Sequence, residues 1–186
     1  MIILVRVRDI PGRCRIPGYE VGWFEVDDVK YGVDNQRPTT PSEDEVGLGR
    51  AAFDKLTIKK ALDNATCDLM FRAMQGVAIP SIEVQMVETA KGGIANFPFL
   101  LLRFEDVFLV KWSLDLKTNE MTEDVEFDYM KVAIEYHSTK DGKTYKREAT
   151  RGWDLTKKNA SGQPGDNWDY QFKLRGDRNL PPGRTI

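Results

Sequence analysis

Apolar and polar residues alternate with a period of two along most of this chain, and a period near 3.6 occurs once. Ile2–Arg8 alternates weakly and predicts a first strand. Pro11-Gly12 and Pro17-Gly18 bracket a turn. Gly22–Val33 sets Trp23, Glu25, Asp27 and Val29 against Phe24, Val26, Asp28 and Lys30, which predicts a strand. Ala51–Leu62, with Phe53, Leu56, Ile58 and Ala61 apolar and lysines between, predicts another. Ile79–Glu88 alternates cleanly, with Ile82, Val84, Met86 and Glu88 against Glu83, Gln85 and Val87. Phe97–Leu116 is long and apolar, with a bend or bulge predicted at Glu105-Asp106. The segment Ala90–Val110 contains no nucleophile, base or ligand cluster. Val125–Tyr136 places Met130, Val132, Ile134 and Tyr136 on one face, and Asp141-Gly142 is a two-residue hairpin signal.

The helical segment follows Leu62. Thr66 or Asn64 supplies an N-cap, and Asp68 lies in the first turn, where the helix dipole favours negative charge. Leu69, Met70, Ala73 and Met74 form an apolar stripe, and Gly76 fits the position just past the end. About three turns of helix are expected.

Two stretches lack either period. Asp34–Gly49 carries two prolines, four acidic residues and few apolar ones, and reads as a long exposed loop. Loops beyond about 12–15 residues within a compact domain are usually functional or disordered. Asn159–Ile186 is rich in Gly, Pro, Asn and Asp, with Trp168, Tyr170 and Phe172 isolated along it. The reading is a domain over residues 1–160 and a weakly ordered extension over 161–186. Within the extension, Trp168–Leu174 is expected as a short strand docking on a neighbour.

Composition narrows the function classes. A chain of 186 residues suits one domain, and 41% hydrophobic residues can build a real core. With 27 basic and 29 acidic residues the net charge is −2, which argues against a nucleic-acid binder. The longest apolar run, about Phe97–Leu102, is far short of the roughly 18–20 residues of a membrane span. Met1–Val5 is apolar, but Arg6, Arg8 and Asp9 end it, so no secretory signal is expected. The chain is expected to be made in a cytoplasm, with Cys14 and Cys67 as free thiols.

Candidate chemistry is sparse. His137, the single histidine, sits at a strand end with no partners at zinc-ligand spacing, and reads as half-exposed. A Cys67–His137 dyad is conceivable because a cysteine nucleophile needs a base. The alternative is an ordinary histidine and a small apolar cysteine on a helix. Glu43-Asp44-Glu45 lacks the calcium-loop pattern and reads as solvated loop. Gly47-Leu-Gly-Arg and Lys91-Gly-Gly read as turns rather than phosphate loops. No catalytic, metal or cofactor site is therefore expected. Exposed loops are where function tends to sit, so Asp34, Arg37, Glu43 and Asp44 are candidate contacts to an adjacent subunit or ring. Aromatics are enriched at protein interfaces, so Trp153, Trp168 and Tyr170 are candidate intersubunit anchors.

Five stretches in order resemble the Hcp family, the tube protein of the bacterial type VI secretion system. They are Tyr19–Val33 with its long loop; Phe53–Asp63 entering the helix with Leu69-Met70; and Ile82–Met86, Lys91-Gly-Gly and Leu102–Val110. Glu123–Tyr136 and Arg151-Gly-Trp-Asp-Leu-Thr-Lys-Lys-Asn follow, the latter similar to an element after the last strand in many members. The resemblance covers roughly residues 1–160. It implies a mainly β fold: a β-barrel of two packed antiparallel sheets with one short helix, similar to phage tail tube proteins. It also implies homohexameric rings stacking into a hollow tube, propelled by a contractile sheath, capped by a VgrG-type spike and carrying effector proteins. Such a protein is cytoplasmic before firing and is then released to the medium or a target cell. A specialised member, whose extension binds cargo or modulates stacking, is the alternative.

Overall fold

A computed structural model describes residues 1–36, 50–88, 96–139, 145–159 and 164–172. In chain order the elements begin β1 (Ile2–Val7), β2 (Trp23–Val26), β3 (Asp28–Lys30), β4 (Val33–Gln36), β5 (Arg50–Phe53), β6 (Leu56–Ala61) and α1 (Thr66–Gln75). They continue with β7 (Ile79–Glu88), β8 (Phe97–Lys117), β9 (Glu120–Asp128), β10 (Lys131–Thr139), β11 (Tyr145–Lys158) and β12 (Pro164–Asn167).

The fold is mainly β, with two antiparallel layers joined through β8 and one helix at the side. One layer runs β12-β11-β10-β8-β7-β1-β2, the other β8-β9-β6-β3, and β4-β5 form a separate pair. The predicted break at Glu105-Asp106 is what lets one strand serve both layers. Asp106 has φ 53, a left-handed conformation that Asp tolerates better than most residues. Before it, Leu100–Glu105 pair with β10; after it, Phe108–Lys117 pair with β9. Lys131 Nζ, 3.0 Å from Asp106 Oδ2, braces the corner.

The opposite corner lies at Asp27, between β2 and β3. The expected barrel does not close here by a ladder: the Asp27 N–H donates to Lys59 O at 2.8 Å, and the chain itself turns the corner. The core lies between the layers. Val5, Val7, Phe24, Ile82 and Phe104 face Leu56, Ile58, Val125 and Phe127, with Leu69 of α1 at the side.

Several predicted elements are subdivided. Gly22–Val33 becomes β2, β3 and the start of β4, and Ala51–Leu62 becomes β5 and β6, parted at Asp54-Lys55. Val125–Tyr136 is two strands parted at Tyr129-Met130. Each break is a corner where the chain leaves one layer, an event the period of two does not encode. Asp34 begins the predicted loop but lies in β4, paired with Ala52; residues 37–49 lie outside the described residues, as do Lys91-Gly-Gly and Asp141-Gly142. β10 and β11 pair out to Thr139 and Tyr145, as a hairpin requires.

The helix ends as expected, with Gly76 at φ 60 donating its N–H to Arg72 O. Its start differs. Ala65 occupies the cap position without a side-chain bond, and Asp63 Oδ1 instead accepts from the Ala65 N–H at 2.8 Å. Thr66 Oγ1 is drawn inward to Glu123 Oε1, 2.8 Å away. Of the predicted stripe only Leu69 is buried; Met74 is 71% exposed.

Candidate self-assembly surfaces

The outer face of the large layer carries a row of charge and small residues in register: Arg6, Glu83, Arg103, Ala133 and Gly152 lie opposite one another across β1, β7, β8, β10 and β11. Arg6 donates both to Glu83 Oε1 at 2.7 Å and to Oε2 at 2.8 Å. Arg103 bonds the same carboxylate and also lies 3.2 Å from Glu105. The row ends at Gly152 because a backbone segment crosses there. A Cβ on Gly152 would stand 2.3 Å from Trp168 O, and the Trp168 N–H donates to Gly152 O at 3.0 Å.

That segment is the described part of the C-terminal extension. β12 pairs with β11 through Trp153↔Asn167, and residues 168–172 then lie back over the sheet. Trp168, Tyr170 and Phe172 pack in series, tilted and then edge-on, with ring centroids 4.8 Å apart at each step, over Leu101 and Ala133. Arg103 sits 5.6 Å from the Tyr170 ring centroid. Burial raises the Tyr170 pKa, partly offset by Arg103. Trp168 and Tyr170 thus contact their own chain. Trp153 lies on the other face, packed against the core, with Nε1 buried and unpartnered beneath Gly165. That close approach, together with φ 93, requires glycine at position 165.

Trp153 also floors a cavity of about 390 Å³ between β4-β5 and β10-β11. Its walls are Tyr31, Val33, Phe53, Val132 and Ile134, with Arg151 the one charged residue lining it among the described residues. Met130, Ile134 and Tyr136 share a face with Val132, as the alternation predicts, but they are 38%, 41% and 47% exposed. On the opposite face of β10, Ala133 is buried under the aromatic segment, and Glu135 and His137 are buried beside Phe97 and Thr150. Of the predicted contacts, the structure brings Trp153 to this cavity and joins Trp168 with Tyr170. Asp34 lies beside Val33 on the same hairpin, while Arg37, Glu43 and Asp44 lie outside the described residues.

Other exposed apolar residues were not singled out by the sequence reading. On β8 and β9, Leu114, Leu116 and Met121 are 39%, 63% and 58% exposed; on α1, Phe71 is 55% exposed. The signal that marks them is an alternation that continues past the length the core can cover.

The titratable residues form structural networks. Lys60 Nζ, fully buried, donates to Glu123 Oε1 at 2.6 Å, Asp63 Oδ1 at 2.8 Å and Ala61 O at 2.9 Å. Glu123 also accepts from Thr66 Oγ1 and from Trp112 Nε1 at 2.6 Å, so β6, β9, β8 and the start of α1 meet on one carboxylate. His137 is 3% exposed rather than half-exposed, because Phe97 packs edge-on against it and Glu135 Oε1 lies 2.8 Å from Nε2. Glu135 further accepts from Thr150 Oγ1 at 2.5 Å and pairs with Arg147. Cys67 is exposed on α1, and no hydrogen bond joins it to His137 among the described residues. Cys14 and Cys67 are both free thiols. No cluster of three or more His, Cys, Asp or Glu able to hold a metal occurs among the described residues, and no described helix is long and apolar enough to cross a membrane.

Residues 5–136 match the sequence model of the family described as "Type VI secretion system effector, Hcp". Solved structures share the fold. One described as a type six secretion system protein superposes with a TM-score of 0.70 at 22% identity, over 83% of this chain and 95% of its own. Hcp1 from Salmonella typhimurium gives 0.64 at 17% identity, over 89% and 98%. A type VI secretion system effector from Yersinia pestis gives 0.59 at 14%, over 82% and 99%. No curated protein sequence matches the chain.

Proposed function

The chain belongs to the Hcp family of type VI secretion proteins, and from that premise we propose that it is a subunit of the secretion tube. Copies join into rings of about six, and rings stack into a hollow tube. A contractile sheath drives the tube, a VgrG-type spike caps it, and effector proteins ride in its lumen. The subunit starts in a bacterial cytoplasm and leaves through the type VI system. The carrying observation is the family match over residues 5–136. The exposed apolar residues at two separate places support it, since a head-to-tail ring needs two different surfaces on each subunit. Light scattering with negative-stain imaging tests this reading: a mass near about six times 21.2 kDa with annular particles is expected. A monodisperse monomer at all concentrations overturns it.

A second reading gives the C-terminal residues a role in stacking or cargo. The first three related structures span 95–99% of their own length but only 82–89% of this chain, so the surplus belongs to this chain. Removal of residues 173–186 leaves the aromatic segment in place. Altered stacking or effector retention with intact rings supports the role; no change in either ends it.

A further inference from the structure

The β8–β9 hairpin carries an apolar face past the end of the body. Trp112↔Val125, Leu114↔Glu123 and Leu116↔Met121 are opposed, so all six residues share one face. Val125 and Glu123 are buried in the body, whereas Leu114, Leu116 and Met121 emerge from it. Around this tip lie Asp115 and Glu120 against the single cation Lys117. Lys117 pairs with Asp115 at 2.7 Å, and Glu120 has no ion pair within 4.0 Å among the described residues. One face of the tip is therefore apolar, and Asp115, Lys117 and Glu120 on the other leave the tip acidic by one charge.

The cavity beside Trp153 has complementary properties: concave, apolar-walled, with Arg151 its one charged residue among those described. The Arg151 Nη1 donates only to the neighbouring Thr150 O, which leaves most of the guanidinium available. We propose that the β8–β9 tip of one copy docks into the Trp153 cavity of the next, with Leu116 and Met121 against the apolar wall and the acidic edge of the tip near Arg151. The occupant is a second copy because one chain carries both halves of a pair matched in polarity and charge. Two different surfaces make the contact head-to-tail, the kind that closes into a ring when the rotation permits. This inference rests on the ring-forming reading above.

The test places cysteines at both ends, Met121→Cys with Ile134→Cys, in a Cys67→Ser background; Cys14 is buried and stays. Under mild oxidation the double variant is expected to give a ladder of covalent dimers, trimers and larger species on a non-reducing gel, and each single variant none. Rings in negative stain without a ladder overturn the docking while leaving the tube reading intact. Covalent dimers from Met121→Cys alone overturn it in favour of a two-fold contact. An Ile134→Cys thiol that labels equally fast in rings and in dissociated subunits overturns it and leaves the cavity open to another partner. Persistent monomers overturn both readings.

Charge reversal supplies the independent check. Arg151→Glu is expected to raise the concentration for half-assembly about tenfold, and Glu120→Lys in the same chain to recover much of it. Both side chains are exposed, so folding by circular dichroism is expected to be unchanged. Arg151→Glu assembling like the parent overturns the pairing.

Discussion

Replacing Lys60 with methionine isolates the carboxylate of Glu123 in the interior. Both side chains are 0% exposed, and their charged atoms are 2.6 Å apart. Breaking a buried pair by removing one partner costs about 3–5 kcal/mol, because the remaining charge keeps its desolvation penalty. Two features favour the lower end. Glu123 keeps the Thr66 hydroxyl and the Trp112 indole as donors. Methionine also preserves the aliphatic stem that runs past Phe24, whose ring lies 5.3 Å from Lys60 Nζ. A loss of about 3 kcal/mol follows. For a chain of this size that is a fall in Tm of about 6–12 °C. The assay is urea unfolding followed by circular dichroism at one fixed protein concentration, since assembly shifts apparent stability by mass action. Glu123→Gln added to Lys60→Met removes the bare charge; its one carbonyl oxygen accepts from the Trp112 indole, and its amide N–H donates to the Thr66 hydroxyl, which can also accept. The double variant is expected to be more stable than Lys60→Met alone by about 1–2 kcal/mol, and with Glu123→Gln alone it completes the cycle that measures the coupling. A cost for Lys60→Met below about 1 kcal/mol, the value typical of exposed pairs, refutes the reasoning. So does a double variant less stable than the single one.

Gly152→Ala puts a methyl group where Trp168 O passes, so the aromatic segment is expected to lift. The cost is about 1–3 kcal/mol, and limited proteolysis checks it by faster cleavage near residues 164–172. Asp154 predicts an acid-side effect. Its carboxyl is pushed up by burial, but the Thr156 hydroxyl and N–H with Lys131 and Lys157 outweigh this and hold its pKa below the ordinary value. Its contribution is therefore present above an unfolded pKa of about 3.9 and fades as pH falls through the lower folded value. Asp154→Asn is expected to cost about 1–2 kcal/mol at pH 7 and to match the parent only once pH has fallen below the lowered folded pKa, read from unfolding curves across pH. Thiol titration is expected to find one fast cysteine, Cys67, with Cys14 reacting only on unfolding. Burial raises the Cys14 pKa, Glu25 adds to it, and the Ile16 N–H partly offsets them. Two fast thiols contradict that burial.

Much of the strand content was legible because it depends on local chemistry. Alternation in Ile2–Val7 and Ile79–Glu88 marks half-buried strands whatever surrounds them, and the Glu105-Asp106 interruption marked the corner of β8. Gly76 ended α1 because a left-handed cap needs no information from elsewhere. The assembly candidates were legible only in part. Trp153, Trp168 and Tyr170 stood out as aromatics outside any regular pattern, but not that they lie on opposite faces of one sheet. Leu116 read as the end of a long apolar strand and Met121 as part of no element; periodicity registers an apolar face and not whether anything covers it.

By itself the sequence determined a β-rich chain with one short helix ended by glycine, near charge balance, and the ordered motifs of its family. These follow from spacing, composition and the conformational limits of single residues. Tertiary structure alone decided which polar residues are interior. Lys60 and Glu123 are 63 positions apart, and each looks like a surface residue until β6 and β9 pair and α1 closes over them. It also decided that Glu135 and His137 are buried and that residues 168–172 lie over Gly152. A residue's burial depends on what packs against it from distant parts of the chain, and the cost of desolvating a charge is met only by partners that the fold brings together.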